Sequence, residues 1–431
     1  MSERGSHAPS TPAEPESNST NLIVDGLVVP RQASPERIED VSDVLREANE
    51  RGQAVIPCGG GSQLGLGNIP SGADLALNLS KLNQIAVYEP DDLTISVQAG
   101  CRIDALNALL AEHGQMLPFE VADPAAATVG GVYAAGISGP RRFGHGSMRD
   151  LVIGITAVSP SGDVAKAGGM VVKNVSGYDM MRLHYGALGS MGVIVQLNFK
   201  VLPTPPAQRT VVIRFDDLTR AIEAAIDVRE SQLAPTAIVL LDAGGARTAG
   251  LPEAPWTLLL RAEGPTDAAA QQTTRLNEAT SDGALDQVVL DDEATEQLWR
   301  SANTLLAAAP EASSIGIRLG MPASQAAQIA SQLLAATAQR QAKRRLSLDL
   351  GNGLLFARFD VPSEQLDELR AIWDDARALG THATLLTAPP SVKRDVEVFG
   401  AEPAGFGLMR ALKQQFDPSG TLNRGRFIGR L

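Results

Sequence analysis

The 431-residue sequence holds only two cysteines, Cys58 and Cys101. Two thiols exclude a disulfide framework, a CxxC redox pair and the four-thiolate sets that hold structural zinc or an iron–sulfur cluster. A reducing cytoplasm is therefore the expected compartment. No run of 18 apolar residues occurs, so no membrane-spanning helix is expected, and the first residues lack a signal peptide's charged-then-apolar pattern. Positive charge is also in short supply: 37 Lys and Arg face 49 Asp and Glu, a formal net charge of −12. That balance argues against nucleic acid or an anionic lipid surface as a partner. No Gly-Lys dipeptide exists, and no stretch completes Gly-x-Gly-x-x-Gly after a strand, which removes the Walker A loop and the standard dinucleotide fingerprint.

Glycine, by contrast, is abundant and clustered. In QAVIPCGGGSQLGLG, residues 53–67, a short apolar strand runs into five glycines. Gly59, Gly60 and Gly61 let the backbone take φ > 0 and turn consecutive N–H groups toward an anion, with Ser62 and Gln63 beside them. The alternative is an ordinary glycine-rich surface turn. A second stretch, DPAAATVGGVYAAGISGPRRFGHGSMRD at 123–150, carries six glycines among small residues. It suits either a backbone lying against a flat ligand or a tight packing interface. In a third, Gly186, Gly189 and Gly192 precede a strand that alternates from Val193 to Val201. Three glycine clusters at strand ends point to one large nucleotide-containing ligand.

Around these clusters the periodicity predicts a compact α+β unit. Ser34 as N-cap and Pro35 as first helical residue open a helix whose Ile38, Val41, Leu45 and Ala48 face inward. Leu75–Leu79 and Leu93–Val97 read as half-buried strands, residues 102–113 as a helix, and Leu151–Val158 as one arm of a hairpin turning at 160–163. Strands at 210–215, 256–261 and 354–359 alternate with alanine-rich helices such as 324–341, the pattern of a second α+β layer. The basic cluster Arg340, Lys343, Arg344, Arg345 reads as a solvated face.

The order PCGGGSQLGLG, VQAG at 97–100, the 123–150 stretch, KNVSGYD at 173–179 and GALGSMGVI resembles the flavin-binding domain of the vanillyl-alcohol oxidase/p-cresol methylhydroxylase superfamily. FDPSGTLNRGRFIG at 416–429 is similar to that superfamily's closing segment. Within it, SGPRR, KNVSGYD and HATLL resemble the FAD-binding subunits of bacterial three-subunit glycolate oxidases. Residues 1–20, dominated by Ser, Pro, Glu, Thr and Asn, read as a disordered tail; for the chain after it, the resemblance implies a two-part FAD-binding domain at 21–205, an α+β cap at 206–380 and a C-terminal segment at 381–431 that returns to the flavin.

Carried over by position, the resemblance implies that Gly59, Gly60, Gly61, Ser62 and Gln63 contact the FAD pyrophosphate. Thr128, Gly130, Gly131, Gly136 and Ile137 would line the dinucleotide, Gly192 and Ile194 its adenine or ribose end, and Asn423 the flavin. Asn423–Arg424–Gly425 replaces the family's Asn-Pro-Gly, which is expected to loosen that turn. The first glycine loop lacks the histidine that tethers flavin in covalent relatives, so the FAD is expected to be non-covalent. Arg141 and Arg142 suit a substrate carboxylate or a cofactor phosphate, and the cofactor is favoured. Of five histidines, His145 and His382 are the candidate proton acceptors, with a hydrogen-bonded structural role as the alternative. The GHxGDGNxH-like metal run of catalytic relatives is missing, and no metal is expected. The resemblance thus implies oxidation of a small 2-hydroxy acid within an assembly that includes a larger flavoprotein and an iron–sulfur subunit, through which any membrane association would run. A non-catalytic flavin-holding subunit and a stand-alone FAD-dependent alcohol oxidase are the alternatives.

Overall fold

The computed structural model describes residues 21–170, 178–306, 312–379 and 382–431. The expected tail at 1–20 and residues 173–177 of the KNVSGYD run lie outside the described residues. The chain begins with a small hairpin, Leu22–Val24 and Leu27–Val29. Strand β1 (Gln32–Ala33), helix α1 (Ile38–Glu50), β2 (Val55–Cys58) and β3 (Leu75–Asn78) then build a three-stranded parallel sheet in the order β1-β3-β2. Helix α1 starts later than the Ser34–Pro35 signal suggests. Arg37 is its N-cap, and its backbone N–H donates to the Asp40 carboxylate at 3.1 Å, which satisfies one of the helix's open donors. Because β3 is central, Leu75, Ala76 and Leu77 are all buried, where alternation alone predicts a half-exposed strand.

A second sheet is antiparallel. Strands β4 (Ile85–Glu89), β5 (Thr94–Gln98), β6 (Val152–Val158), β7 (Val164–Gly168) and β8 (Val193–Lys200) lie in the order β7-β6-β8-β5-β4. The expected hairpin joins β6 to β7, with Gly162 at φ +84 in its turn. Helix α2 (Ile103–Ala111) packs Ile103, Leu106 and Leu110 onto this sheet. Helix α3 (Val129–Ala135) forms inside the second glycine stretch, where no helix is predicted, and ends at Gly136 in the left-handed region at φ +70.

The cap is one eight-stranded antiparallel sheet. Its elements are β9 (Ala207–Phe215), α4 (Leu218–Glu230), β10 (Ala237–Asp242), β11 (Trp256–Gly264), α5 (Thr266–Ala279), β12 (Asp286–Leu290), α6 (Asp292–Ala302), β13 (Ser314–Gly320), α7 (Ala326–Thr337), β14 (Lys343–Asp349), β15 (Leu354–Asp360), α8 (Leu366–Arg377) and β16 (Ala383–Thr387). The strand order is β12-β9-β11-β10-β14-β15-β13-β16. Ile222, Leu276, Leu333 and Trp373 from α4, α5, α7 and α8 share one core with one face of the sheet, while Leu298 and Trp299 of α6 cover part of the other.

Two expectations need correction here. The cap does not end at 380: β16 pairs with β13, Leu385 opposite Ile317, and Val392, Val396 and Val398 join the same core. The partner of the HATLL strand lies more than 60 residues earlier, too far for local pattern to show. The basic cluster is also not a bare solvated face, because Arg340 pairs with Asp375 at 2.7 Å, Arg344 with Asp242 at 3.2 Å and Arg345 with Asp360.

After the cap, helix α9 (Phe406–Phe416) leads back to the first sheet, where Leu422 bridges Val55 in parallel. Buried Lys413 ties that return, pairing with Asp417 at 2.6 Å and donating to the carbonyls of Ser190 and Leu422. Among the described residues no helix is long and apolar enough to cross a membrane.

Candidate flavin site

Strand β2 delivers the chain at Cys58 into Gly59–Gly61, and the loop settles directly on residues 126–128. A Cβ on Gly59 would strike the Thr128 hydroxyl, and one on Gly60 would occupy the place of the Ala126 carbonyl oxygen. Gly61 has φ +81, a conformation that side chains other than glycine's disfavour. Behind the loop, a Cβ on Gly130 would come within 2.6 Å of the Ala99 Cβ, so α3 packs against the end of β5 only because that position is bare. Between the loop and α3 runs an open groove of two adjoining compartments. Pro57, Cys58, Gly59, Thr128, Gly131 and Leu188 belong to both.

The returning C-terminal segment supplies the remaining wall. Asn423, at φ +44, donates its side-chain amide to the Leu188 carbonyl and its N–H to Val55 at 2.9 Å. The turn expected to be loose is braced, since Arg424 Nε donates to the Gly420 carbonyl at 2.7 Å and Gly425 sits at φ +78. Arg426 is 3% exposed and reaches across to the glycine loop, donating to the carbonyls of Leu64 at 2.6 Å and Leu66 at 2.7 Å. Burial pulls its guanidinium below the ordinary range, with Asp25 and Cys58 pulling the other way. Burial likewise pushes the Cys58 thiol up to about 11, so it lines the groove as a neutral thiol.

In the SGPRRFGH segment, Arg141, Arg142 and His145 reach into the cap. Arg141 Nη2 lies 2.6 Å from Glu263 Oε1, and His145 Nε2 lies 2.6 Å from Glu263 Oε2. Arg261 completes the cluster, contacting Glu263 at 3.0 Å and Glu120 at 3.0 Å. Burial alone would raise Glu263, but its His145 hydrogen bond and the Arg141 and Arg261 charges outweigh it and hold the carboxyl down at about 2. Arg142 donates through Nε to Asn352 Oδ1 at 3.0 Å.

A model of an FAD binding domain matches residues 31–168, and one of the C-terminal domain of FAD linked oxidases matches residues 204–376 and 399–427. The chain belongs to the FAD-linked oxidases of the vanillyl-alcohol oxidase/p-cresol methylhydroxylase superfamily. This FAD-linked oxidase is 25% identical to glycolate oxidase subunit GlcD of Bacillus subtilis, over 92% of this chain and 88% of that one. It is 29% identical to glycolate oxidase subunit GlcE of Escherichia coli, over 80% of this chain and 85% of that one. In fold it is similar to p-cresol methylhydroxylase, with a TM-score of 0.74 at 16% identity, covering 94% of this chain and 91% of that one.

The groove of this FAD-dependent oxidoreductase suits the cofactor on its own chemistry. Gln63 Oε1 and Arg426 Nε are buried atoms without a hydrogen-bond partner, and both residues line the first compartment. A buried guanidinium with no carboxylate within 4 Å among the described residues calls for an anion, and a diphosphate supplies one. No histidine lines either compartment among the described residues.

Of the residues named from sequence, Gly59, Gly60, Gly61, Ser62, Gln63, Thr128, Gly130, Gly131, Ile194 and Asn423 line the groove. Gly136, Ile137 and Gly192 do not. A Cβ on Gly136 would lie 3.1 Å from the Gly186 Cα, Ile137 packs on the core beneath the five-stranded sheet, and Gly192 makes room for buried His184. Arg141, Arg142 and His145 serve the contact between the cap and the flavin-binding half. His382 stands at the surface just before β16, where partial burial and the Arg318 charge lower its pKa. Sequence reading missed Arg426, Glu263 and Arg318; the available signal for Arg318 was a lone charge in the alternating strand SIGIRLG.

Proposed function

We propose that this chain is the FAD-carrying subunit of a multi-subunit oxidase acting on the CH–OH group of a small 2-hydroxy acid such as glycolate. The observation that carries this reading is the groove between two glycine walls, closed by the Arg426 guanidinium, whose Nε has no partner. It is supported by similarity to two glycolate oxidase subunits, 88% and 85% of whose lengths the chain covers.

FAD supplies an acceptor for the two electrons and the hydrogen leaving C2 of the hydroxy acid. The chain's residues bind, orient and exclude water. Gly59–Gly61 would bring backbone N–H groups to the diphosphate, and Arg426 would engage it through the Nε–H now without a partner. Ala134, Leu188 and Ile194 give the flat parts of the cofactor an apolar, water-excluding wall. Of the two histidine candidates, His145 is held by Glu263. That leaves exposed His382, whose pKa partial burial and the Arg318 charge lower, as the candidate acceptor of the substrate's hydroxyl proton. With two cysteines the chain cannot ligate a four-thiolate cluster, so onward electron transfer falls to companions, a larger flavoprotein and an iron–sulfur protein.

Tagging the chain in its host and purifying it should recover both companions, and glycolate-dependent dye reduction should reside in the assembly. Full activity in the isolated, monomeric chain would sink the subunit reading.

A further inference from the structure

The cap sheet has two unlike faces. Along β13, Ile315, Ile317 and Leu319 point into the helix-covered core, so Arg318 points to the opposite face. There it stands in register with Phe356 of β15 and Thr384 of β16, and Nη2 donates to Thr384 Oγ1 at 3.3 Å. Among the described residues Arg318 has no carboxylate within 4 Å, unlike Arg340, Arg344 and Arg345 of the same domain. Arg142 comes to meet it from the flavin-binding half, held by Asn352 Oδ1 and likewise without a carboxylate.

The Arg142 charge acts on the buried Asp349 carboxyl, itself pushed up to about 7 by burial, and neither guanidinium has a carboxylate within 4 Å among the described residues, which leaves the pair electrostatically unfinished. Burial first, and then the Arg142 charge, pull Arg318 below its ordinary range, while Tyr185 acts in the other direction. Tyr185 also fixes where this corner lies. Its hydroxyl donates to the carbonyl of Gly136, the residue that ends α3, and Ala134 and Ala135 of that helix line the first compartment of the groove. The cationic corner therefore lies on the side of the C-terminal end of α3, whose Ala134 and Ala135 line the groove, and beside His382, whose backbone carbonyl accepts from the Gly320 N–H at 2.7 Å.

We propose that Arg318, seconded by Arg142, is the seat of the substrate's carboxylate. A guanidinium fork takes a carboxylate through two parallel charge-assisted hydrogen bonds, and the bound anion relieves the repulsion between the two arginines. With the carboxylate on the cap side, C2 and its hydroxyl extend toward the groove and His382. The assignment rests on the 2-hydroxy acid reading and adds to it a specificity determinant: uncharged alcohols lack the anchor.

The test uses oxalate, a redox-inert dicarboxylate, titrated calorimetrically into the flavin-loaded chain. Arg318→Gln removes one of two like charges, so folding is not expected to suffer. It should weaken oxalate binding by roughly ten- to a hundredfold, the value of a charge-assisted hydrogen-bond pair. Flavin content and Tm should stay at wild-type levels, Arg318→Lys should recover part of the affinity, and Arg142→Gln should weaken it as well. In the assembled enzyme Arg318→Gln should raise KM for glycolate more than it lowers kcat. Equal oxalate affinity in wild type and Arg318→Gln, or no oxalate binding to the wild-type chain, overturns the proposal. If oxalate binds through Arg318 but the assembly oxidises no 2-hydroxy acid, the anion seat stands and the substrate reading falls. If the assembly oxidises glycolate with KM unmoved by Arg318→Gln, the reverse holds.

Discussion

Gly60 owes its identity to a carbonyl oxygen 66 residues later. Sequence pattern ascribes it to backbone N–H groups facing phosphate, and the structure adds the closer reason that a Cβ would displace the Ala126 oxygen and lift the loop. Gly60→Ala should therefore lose most of its flavin, read from the ratio of visible to ultraviolet absorbance. Gly283→Asp, in a cap turn at φ +70 beside Arg220, should keep it. Arg426→Met should weaken FAD binding by roughly ten- to a hundredfold, as measured by fluorescence titration of the apoprotein, because a charged donor to the diphosphate is lost. The glycine loops were legible because three glycine clusters recur at strand ends in the order that the flavin-binding family shows, which weighs against a surface turn or a packing interface. Arg426 and Arg318 were not, since a single arginine takes its meaning from the acids it lacks, and only three dimensions show those.

At the scale of elements, the SGPRRFGH segment was misplaced for an instructive reason. Its two arginines suit a phosphate as well as a carboxylate, and sequence does not say that Glu263, at the end of β11, lies within 2.6 Å of Arg141. The segment works as a latch: Phe143 fills the space above Gly351, where a Cβ would sit 2.8 Å from the ring, and Gly144 lies against Thr236. Glu263→Gln leaves Arg141 and Arg261 facing an uncharged partner, and should cost roughly 3 to 5 kcal/mol in thermal or denaturant unfolding. Glu263 is held at about 2, below its ordinary 4.5, so its stabilisation is complete above about pH 4.5 and disappears as pH falls toward 2. The acid-side drop in Tm should accordingly be steeper in wild type than in Glu263→Gln. Asp349 has the opposite sign. Burial raises it from 3.8 to about 7, so its contribution is present below 3.8 and is lost as pH rises through 7. Asp349→Asn should flatten the decline in Tm across that interval.

For the whole molecule, the α+β class followed from alternation and helical periodicity, while the division into a two-part flavin-binding half and a cap came from the family resemblance. Strand order did not, because the neighbours of β3, β8 and β16 are set by long-range pairing. The groove draws its walls from residues near 60, 130, 190 and 425, so bound FAD cross-links segments far apart in the chain. Saturating FAD at a hundred times its Kd should stabilise the apoprotein by about 2.7 kcal/mol, seen as a rise in Tm on reconstitution. Acid precipitation of the holoprotein should leave the yellow colour in the supernatant, as a non-covalent cofactor requires.

The C-terminal wall also sets a schedule. Val55 donates its N–H to the Thr421 carbonyl and accepts from the Asn423 N–H, and the carbonyls of Leu64 and Leu66 wait for Arg426. A ribosome making this protein delivers the first glycine loop hundreds of peptide bonds before the segment that closes it. Flavin capture must therefore come after elongation has passed residue 426, and a nascent chain stalled at residue 405 should emerge colourless however much FAD surrounds it.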